Sequence, residues 1–139
     1  MHTVFEIGTR GPGLYEFTGK VRAFAAKSAD KGGLLTLFVQ HTSCSIVIQE
    51  NADPDVQRDL EEFFQRLAPP ADAPSMSWIR HVTEGSDDMP AHLKAALLPT
   101  SLSIPILEGA LALGQWQGVY LFEHRRQPHQ RRVVGRISR

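Results

Sequence analysis

The spacing of apolar and polar residues changes several times along this chain, and each change marks an element. Residues 2–9, HTVFEIGT, have high strand propensity through Val4, Phe5 and Ile7, and GPG at 11–13 ends the stretch as a turn. From Thr18 onward, Val21, Phe24, Ala25 and Ser28 recur at helical spacing. This predicts a helix with Thr18 as N-cap and Gly32 or Gly33 as its stop. LLTLFVQ at 34–40 is mostly apolar and predicts a strand buried on both faces, with the next strand around Cys44–Gln49. The clearest helix is DPDVQRDLEEFFQRLAPP at 53–70. Asp53 caps it, and Pro54 suits the first helical position, where a missing amide proton costs nothing. Val56, Leu60, Phe63, Phe64 and Leu67 form its apolar stripe, and Pro69-Pro70 stop it. MSWIRHVTEGSDDM then reads as a short extended piece and a polar loop. PAHLKAALL reads as a short helix opening at Pro90 and capped by Asp87 or Asp88. SLSIPIL alternates, EG turns, and ALALGQWQGVYLFEHRR is a strand pair or one long bent strand; QPHQ turns again and RRVVGRIS closes the sheet. Strands with interspersed helices and a strand-rich end predict one α+β domain over 1–139 with a mixed sheet.

Composition narrows the setting. With 139 residues, 42% hydrophobic and 22% charged, the chain is an ordinary globular domain that needs no disulfide staples. Its one cysteine cannot form an internal disulfide, the N-terminus lacks a signal pattern, and no apolar run approaches the ~20 residues of a membrane span. A cytoplasmic protein without a membrane partner is expected. Fifteen basic and fifteen acidic residues cancel, which argues against nucleic acid as a partner. The balance is uneven, however. Arg125, Arg126, Arg131, Arg132, Arg136 and Arg139 lie within 125–139 with no acid among them. That run reads either as a grip for phosphate groups or as a solvated edge that discourages strand-to-strand aggregation.

Candidate chemistry concentrates in QHTSCSIVIQENADPD, residues 40–55. If this is extended, Cys44 shares a largely apolar face with Thr42, Ile46 and Ile48, which makes it a core residue rather than a nucleophile. His41, Ser43, Ser45 and Gln49 fall on the opposite, polar face. Of the six histidines, His41, His81 and His92 come from separate segments, each beside polar or turn residues. Three dispersed imidazoles suit a catalytic metal with one open position, although no HExxH and no cysteine pair is present. In EGSDDMPAH, His92 lies in the first turn of a helix beside two aspartates; an aspartate and a histidine there suit a general base and its orienter, or plain helix capping. Glu123 shares strand parity with Gln117, Val119 and Leu121, facing either the polar region of the arginines or Arg125 alone.

Three motifs in order, HTSCSIVIQENADPDV, HxxEGSDDMPAHxK and GxLxLGxWQGxYLxEHR, make the chain resemble the YjbQ-like family, the secondary thiamine-phosphate synthase enzyme family. The resemblance spans essentially the whole chain. It implies a mixed sheet curling into a barrel-like shape with about three helices, a homotrimer, and a low thiamine-phosphate synthase activity. That reaction joins a pyrimidine methyl diphosphate to a thiazole phosphate and releases pyrophosphate. The motif residues are His41, Thr42, Ser43, Ser45, Glu50, Asn51, Asp53, Pro54, His81, Glu84, Gly85, Asp88, Met89, His92, Lys94, Trp116, Gln117 and Glu123. From them the expected site has His81, His92, Glu84 and Asp88 in catalysis. Ser43, Ser45, Asn51, Gln117 and Glu123, with Arg125, Arg131 and Arg132, are expected to bind a phosphorylated substrate. His41, His81 and His92 are expected to hold a divalent metal, zinc or similar. His41 and Glu50 would lie about 30 Å apart on a straight strand, so either Glu50 and Asn51 reach the histidines of a neighbouring subunit, or Asn51 and Asp53 are structural and cap the long helix. The turn RRQPHQRR departs from the family pattern of an acidic, glycine-containing turn. Two other functions compete: a metal-dependent hydrolase of a phosphorylated small molecule, and a non-enzymatic trimeric binding module.

Overall fold

The computed structural model describes residues 1–28 and 31–139. The strands are β1 (His2–Thr9), β2 (Gly13–Glu16), β3 (Gly33–Val39), β4 (Cys44–Glu50), β5 (Ser101–Leu107), β6 (Ala110–Leu111), β7 (Gln117–Glu123) and β8 (His129–Ser138). The helices are α1 (Thr18–Ala26), α2 (Pro54–Leu67) and α3 (Asp88–Leu97), and a 3-10 turn covers Pro74–Met76. A five-stranded sheet, β1-β8-β3-β5-β6, curls like half a barrel, and a three-stranded sheet, β2-β7-β4, faces it. The α+β class with three helices is as expected. The pairings, however, are antiparallel rather than mixed. The reason is topological: α1 joins β2 to β3, and α2 and α3 join β4 to β5, in both cases strands of different sheets. No helix therefore returns the chain parallel to a neighbour within one sheet.

The core lies between the sheets. Phe5, Ile7, Leu35, Leu37, Ile104, Ile106 and Val133 of the larger sheet meet Cys44, Ile46, Val119 and Leu121 of the smaller, and Val21, Phe24 and Ala25 of α1 complete it. Strand β3 buries one face only: Leu35, Leu37 and Val39 point inward, while Leu34 and Phe38 are 39% and 49% exposed. An apolar run is thus compatible with a strand buried on one face only. Strand β2 lies between the GPG turn and α1, where no strand was expected, and pairs with β7 from Gly13 to Glu16. Gly33 needs its missing side chain: at φ +133° a Cβ there would sit 2.7 Å from the Ser138 carbonyl oxygen.

Two helix expectations change. Helix α1 ends at Ala26, well before Gly32, and the stretch of the expected helix over 29–30 lies outside the described residues. Thr18 does not cap it. Its hydroxyl donates to Glu16 Oε2 at 2.7 Å and accepts the Val119 N–H at 2.8 Å, tying the helix start to β7. Helix α2 begins as expected, with the Asp53 carboxylate accepting the Asp55 N–H at 2.9 Å. Its stripe is less covered than the spacing suggests, since no α2 residue is fully buried and Phe63 and Leu67 are exposed. Phe64 makes the inward contact, edge-on to Phe122 with ring centroids 5.5 Å apart.

Candidate functional site

Helix α3 and the loop before it bring three ligand-bearing side chains together. Asp88 and His92 stand one turn apart on the helix, so their side chains share a face. The loop returns His81 to the same point. His81 Nε2 is 2.8 Å and His92 Nε2 3.3 Å from Asp88 Oδ2, and the three ligand atoms lie within 4.8 Å of one another. Asp88 is the buried floor of the cluster, while the two imidazoles form its accessible rim. Surrounding groups fix His92 and Asp88. His92 Nδ1–H donates to the Thr42 carbonyl at 2.9 Å, which leaves the Nε2 lone pair facing the cluster. Arg125 donates from Nη1 to Asp88 Oδ1 at 2.8 Å, from Nε to Asp87 Oδ2 at 3.0 Å and from Nη2 to the Glu84 carbonyl at 3.1 Å.

The aspartates consequently do not cap α3, contrary to the capping expectation. Neither makes a side-chain cap bond, because Asp87 is taken by Arg125 Nε and by the Arg126 N–H at 2.9 Å. Burial alone would push the Asp87 carboxyl up, but these hydrogen bonds and the Arg125 charge outweigh it and hold it below the usual carboxylate range. Glu84 supplies its carbonyl to Arg125; its side chain is exposed.

A second polar cluster is sealed inside the fold. Glu123, fully buried, accepts from Thr9 Oγ1 at 2.6 Å, from Arg131 Nε at 2.7 Å and from Arg131 Nη2. The backbone N–H groups of His124 and Arg125 donate at 3.0 and 3.2 Å to Oε2, the oxygen that Arg131 Nη2 also reaches, while Thr9 and Arg131 Nε meet Oε1. Arg131 Nη2 continues to Ser43 Oγ at 3.0 Å. Burial raises the Glu123 carboxyl, yet the Arg131 and Thr9 hydrogen bonds prevail and lower it overall. Beside it, Ser45 Oγ and His124 Nε2 are 3.0 Å apart, and burial followed by the Lys94 charge drives the His124 pKa down to about 3. Ser43, Ser45, Glu123 and Arg131 therefore lie in the interior, and the side-chain partner of Glu123 is Arg131 rather than Arg125.

The remaining expected residues lie apart. The Arg132 N–H donates to His41 Nε2 at 2.9 Å, and the Arg132 guanidinium sits in the open near Glu6 and Gln40. His41 is not in the three-residue cluster. It shares an open cleft of about 250 Å³ with Thr42, His92, Ala95, Ala96 and Thr100. Burial, then the Arg131 charge, lowers its pKa. At the far end of β4, Asn51 Nδ2 donates to Glu16 Oε2 at 3.3 Å, Glu50 accepts the Asp53 N–H, and Gln117 Oε1 accepts the Gly114 N–H at 2.6 Å. These bonds hold turns. Cys44 has no exposed surface, and burial pushes its thiol up to about 12. The sequence reading gave no role to His124 or Lys94. The one signal for His124 was its parity with Phe122 and Tyr120, the face that helices cover.

Together these features describe a small α+β protein of two facing antiparallel sheets, whose third helix and the loop before it form a His–Asp–His cluster at the surface. The chain belongs to the UPF0047 YjbQ-like family, whose model it matches over residues 3–139. It is 51% identical to a UPF0047 protein of Synechocystis over 135 residues, covering 97% of this chain and 89% of that one. It is 43% identical to the YjbQ protein of Escherichia coli O157:H7 over 106 residues, 76% of this chain and 73% of that one. Among solved structures, an uncharacterised YjbQ/UPF0047-family protein of Clostridium acetobutylicum matches with a TM-score of 0.86 at 31% identity, covering 98% of this chain and 99% of that one. A conserved hypothetical protein of Thermus thermophilus matches with a TM-score of 0.83 at 37% identity, with coverages of 98% and 99%.

Proposed function

We propose that this chain holds a divalent metal, zinc or similar, on His81, Asp88 and His92, and turns over a phosphorylated small molecule there. One observation carries the reading. With Nδ1–H committed to the Thr42 carbonyl, neutral His92 has only a lone pair to present to Asp88 Oδ2 at 3.3 Å. A lone pair and a carboxylate at that separation repel unless a cation, either a proton or a metal, lies between or beside them. Two imidazoles and a carboxylate, with His92 held by the Thr42 carbonyl and Asp88 by Arg125, form a donor set that fits a metal with positions left for substrate. When bound, the metal would polarise a phosphoryl oxygen or ionise a water. The protein's own contribution is positioning: Arg125 steadies Asp88, Thr42 sets the His92 tautomer, and exposed His81 borders the substrate side.

Within this reading, the family resemblance favours a low thiamine-phosphate synthase-type reaction. The thiazole nitrogen attacks the pyrimidine methylene carbon, the carbon–oxygen bond breaks, and pyrophosphate leaves with the electron pair. Hydrolysis of a phosphoester is the alternative at the same centre. Both develop negative charge on a leaving oxygen, and Arg125 and Arg131 already serve Asp87, Asp88 and Glu123. A cytoplasmic homotrimer accompanies the proposal. Val4, Val134 and Phe38 align across β1, β8 and β3 on the outer face of the larger sheet, with Val4 and Phe38 exposed, and a neighbouring copy would cover them.

The test is metal per chain in protein purified without chelator, together with turnover of the two synthase substrates and a phosphoester panel. The expected result is near one metal per chain, with turnover lost on stripping, restored by zinc and abolished by His81→Ala. Protein that takes up no metal, or keeps its turnover when stripped, would overturn the proposal. Ligand binding without turnover would leave the binding-module reading.

A further inference from the structure

Lys94 is only 4% exposed, and among the described residues no hydrogen bond or ion pair reaches its ammonium group. A buried ammonium with three unused donors is costly unless something else supplies acceptors. No buried polar side-chain atom is both sealed from solvent and unpartnered, so the Lys94 nitrogen must touch open space. That space is a partly open cavity of about 50 Å³, walled by Pro12, Pro70 and Pro90 with Lys94, His124, Arg126, Gln65 and Asp87. The Arg126 guanidinium likewise has no hydrogen-bond or ion-pair partner among the described residues; only its backbone N–H is engaged, with Asp87. Asp87 is the one carboxylate on the wall, and its Oδ2 already accepts from Arg125 Nε and the Arg126 N–H. The wall therefore carries two basic side chains without a hydrogen-bond or ion-pair partner among the described residues against one carboxylate, whose charge also acts on Lys94.

We propose that this cavity is a subsite for one phosphoryl group, either free phosphate or the end of a larger molecule, held by Lys94 and Arg126. The volume suits a few waters or one small oxyanion and is too small for a whole metabolite. A phosphoryl group carries between one and two negative charges near neutrality, which two cations match. Lysine supplies a point charge, and the arginine fork supplies paired donors. The three prolines stiffen the opening, so the donors are held before the anion arrives. The subsite stands on its own geometry and does not require the metal centre, although Arg125 bonds both Asp87 beside the cavity and Asp88 in the cluster.

The experiment is titration of chelator-treated protein with inorganic phosphate and, separately, methyl phosphate, followed by calorimetry. The expected result is saturable binding, weakened at least tenfold in Lys94→Met and in Arg126→Ala, and unchanged in His81→Ala. Arg126→Ala changes an exposed side chain, so it remains informative if Lys94→Met fails to fold. Binding of the ester as well as the free ion would assign the subsite to the phosphoryl end of a larger ligand; binding of phosphate alone would assign it to the free ion. No binding, or binding indifferent to both substitutions, would overturn the proposal. Binding that appears only with added zinc and vanishes in His81→Ala would also overturn it, while leaving the metal reading intact.

Discussion

Replacing Glu123 by glutamine should destabilise the protein severely, even though the shape is nearly conserved. Glu123 has no exposed surface, and its partner Arg131 has only 4% of its side chain exposed. The carboxylate accepts from Thr9, from two nitrogens of Arg131 and from the N–H groups of His124 and Arg125. Glutamine removes the negative charge and turns one acceptor into a donor among donors, leaving Arg131 charged and buried. Removing one member of a buried pair costs about 3–5 kcal/mol. Unfolding entropy of about 2.1 cal/mol/K per residue over 139 residues gives about 0.29 kcal/mol/K, so Tm should fall by about 10–17 °C. The assay is thermal and guanidinium unfolding at fixed protein concentration, because assembly would otherwise shift the midpoint. The companion variant, Glu123→Leu with Arg131→Met, removes both charges and should cost clearly less than the sum of its single substitutions. The pair is also acid-sensitive. The folded pKa of Glu123 is depressed, so its contribution is complete above the ordinary glutamate pKa of about 4.3 and is lost as pH falls through the lower folded value. Glu123→Gln within about 1 kcal/mol of wild type, or strict additivity in the double variant, would refute the argument.

Two further outcomes are expected. His124 stays neutral in the fold down to about pH 3, while an unfolded histidine takes up a proton near pH 6.5. Stability should therefore decline as pH falls below about 6.5, by up to about 1.4 kcal/mol per pH unit, and His124→Asn should flatten that limb in pH-dependent denaturant midpoints; an unchanged slope would remove His124 as its source. Cys44, with no exposed surface and a thiol pushed up to about 12, should resist a thiol reagent in native protein and react only at the rate of opening; prompt labelling at neutral pH would contradict its core position.

Much of the fold was legible because its signals are local. Alternation and turn residues located β1, β5 and β8, and Asp53-Pro54 with Pro69-Pro70 bounded α2 within a residue or two. What failed depended on cover from elsewhere in the chain. An apolar run does not say whether one or both faces of β3 are buried, and a strong stripe does not guarantee a partner for Phe63 and Leu67. The antiparallel pairing was hidden because the sequence does not say which sheet a strand joins after a helix. At the site, the spacing put Asp88 and His92 in the first turn of one helix, but the metal was expected on His41, His81 and His92, and only the folded loop puts Asp88 in the place of His41. The arginines were harder. Composition left them open between anion ligands and a solvated edge, and only the tertiary fold shows that Arg125 and Arg131 spend their donors on internal carboxylates.

That expenditure links the interior to the surface cluster. Glu123 binds the backbone N–H of Arg125, and the Arg125 guanidinium then clasps Asp87, Asp88 and the Glu84 carbonyl. The route from the buried pair to the His–Asp–His cluster is thus one residue long, through a backbone amide rather than a side chain. A loss at Glu123 should reach the surface by loosening the amide that sets where Arg125 starts, leaving Asp88 less restrained. Glu123→Gln should therefore weaken zinc binding, measured in the folded fraction below its melting range, whereas Thr9→Val should spare it because Thr9 meets the carboxylate on the other oxygen. Equal zinc affinity in wild type and Glu123→Gln would show that Asp88 is held by the α3 helix alone. Arg125 would then serve stability rather than the arrangement of the cluster.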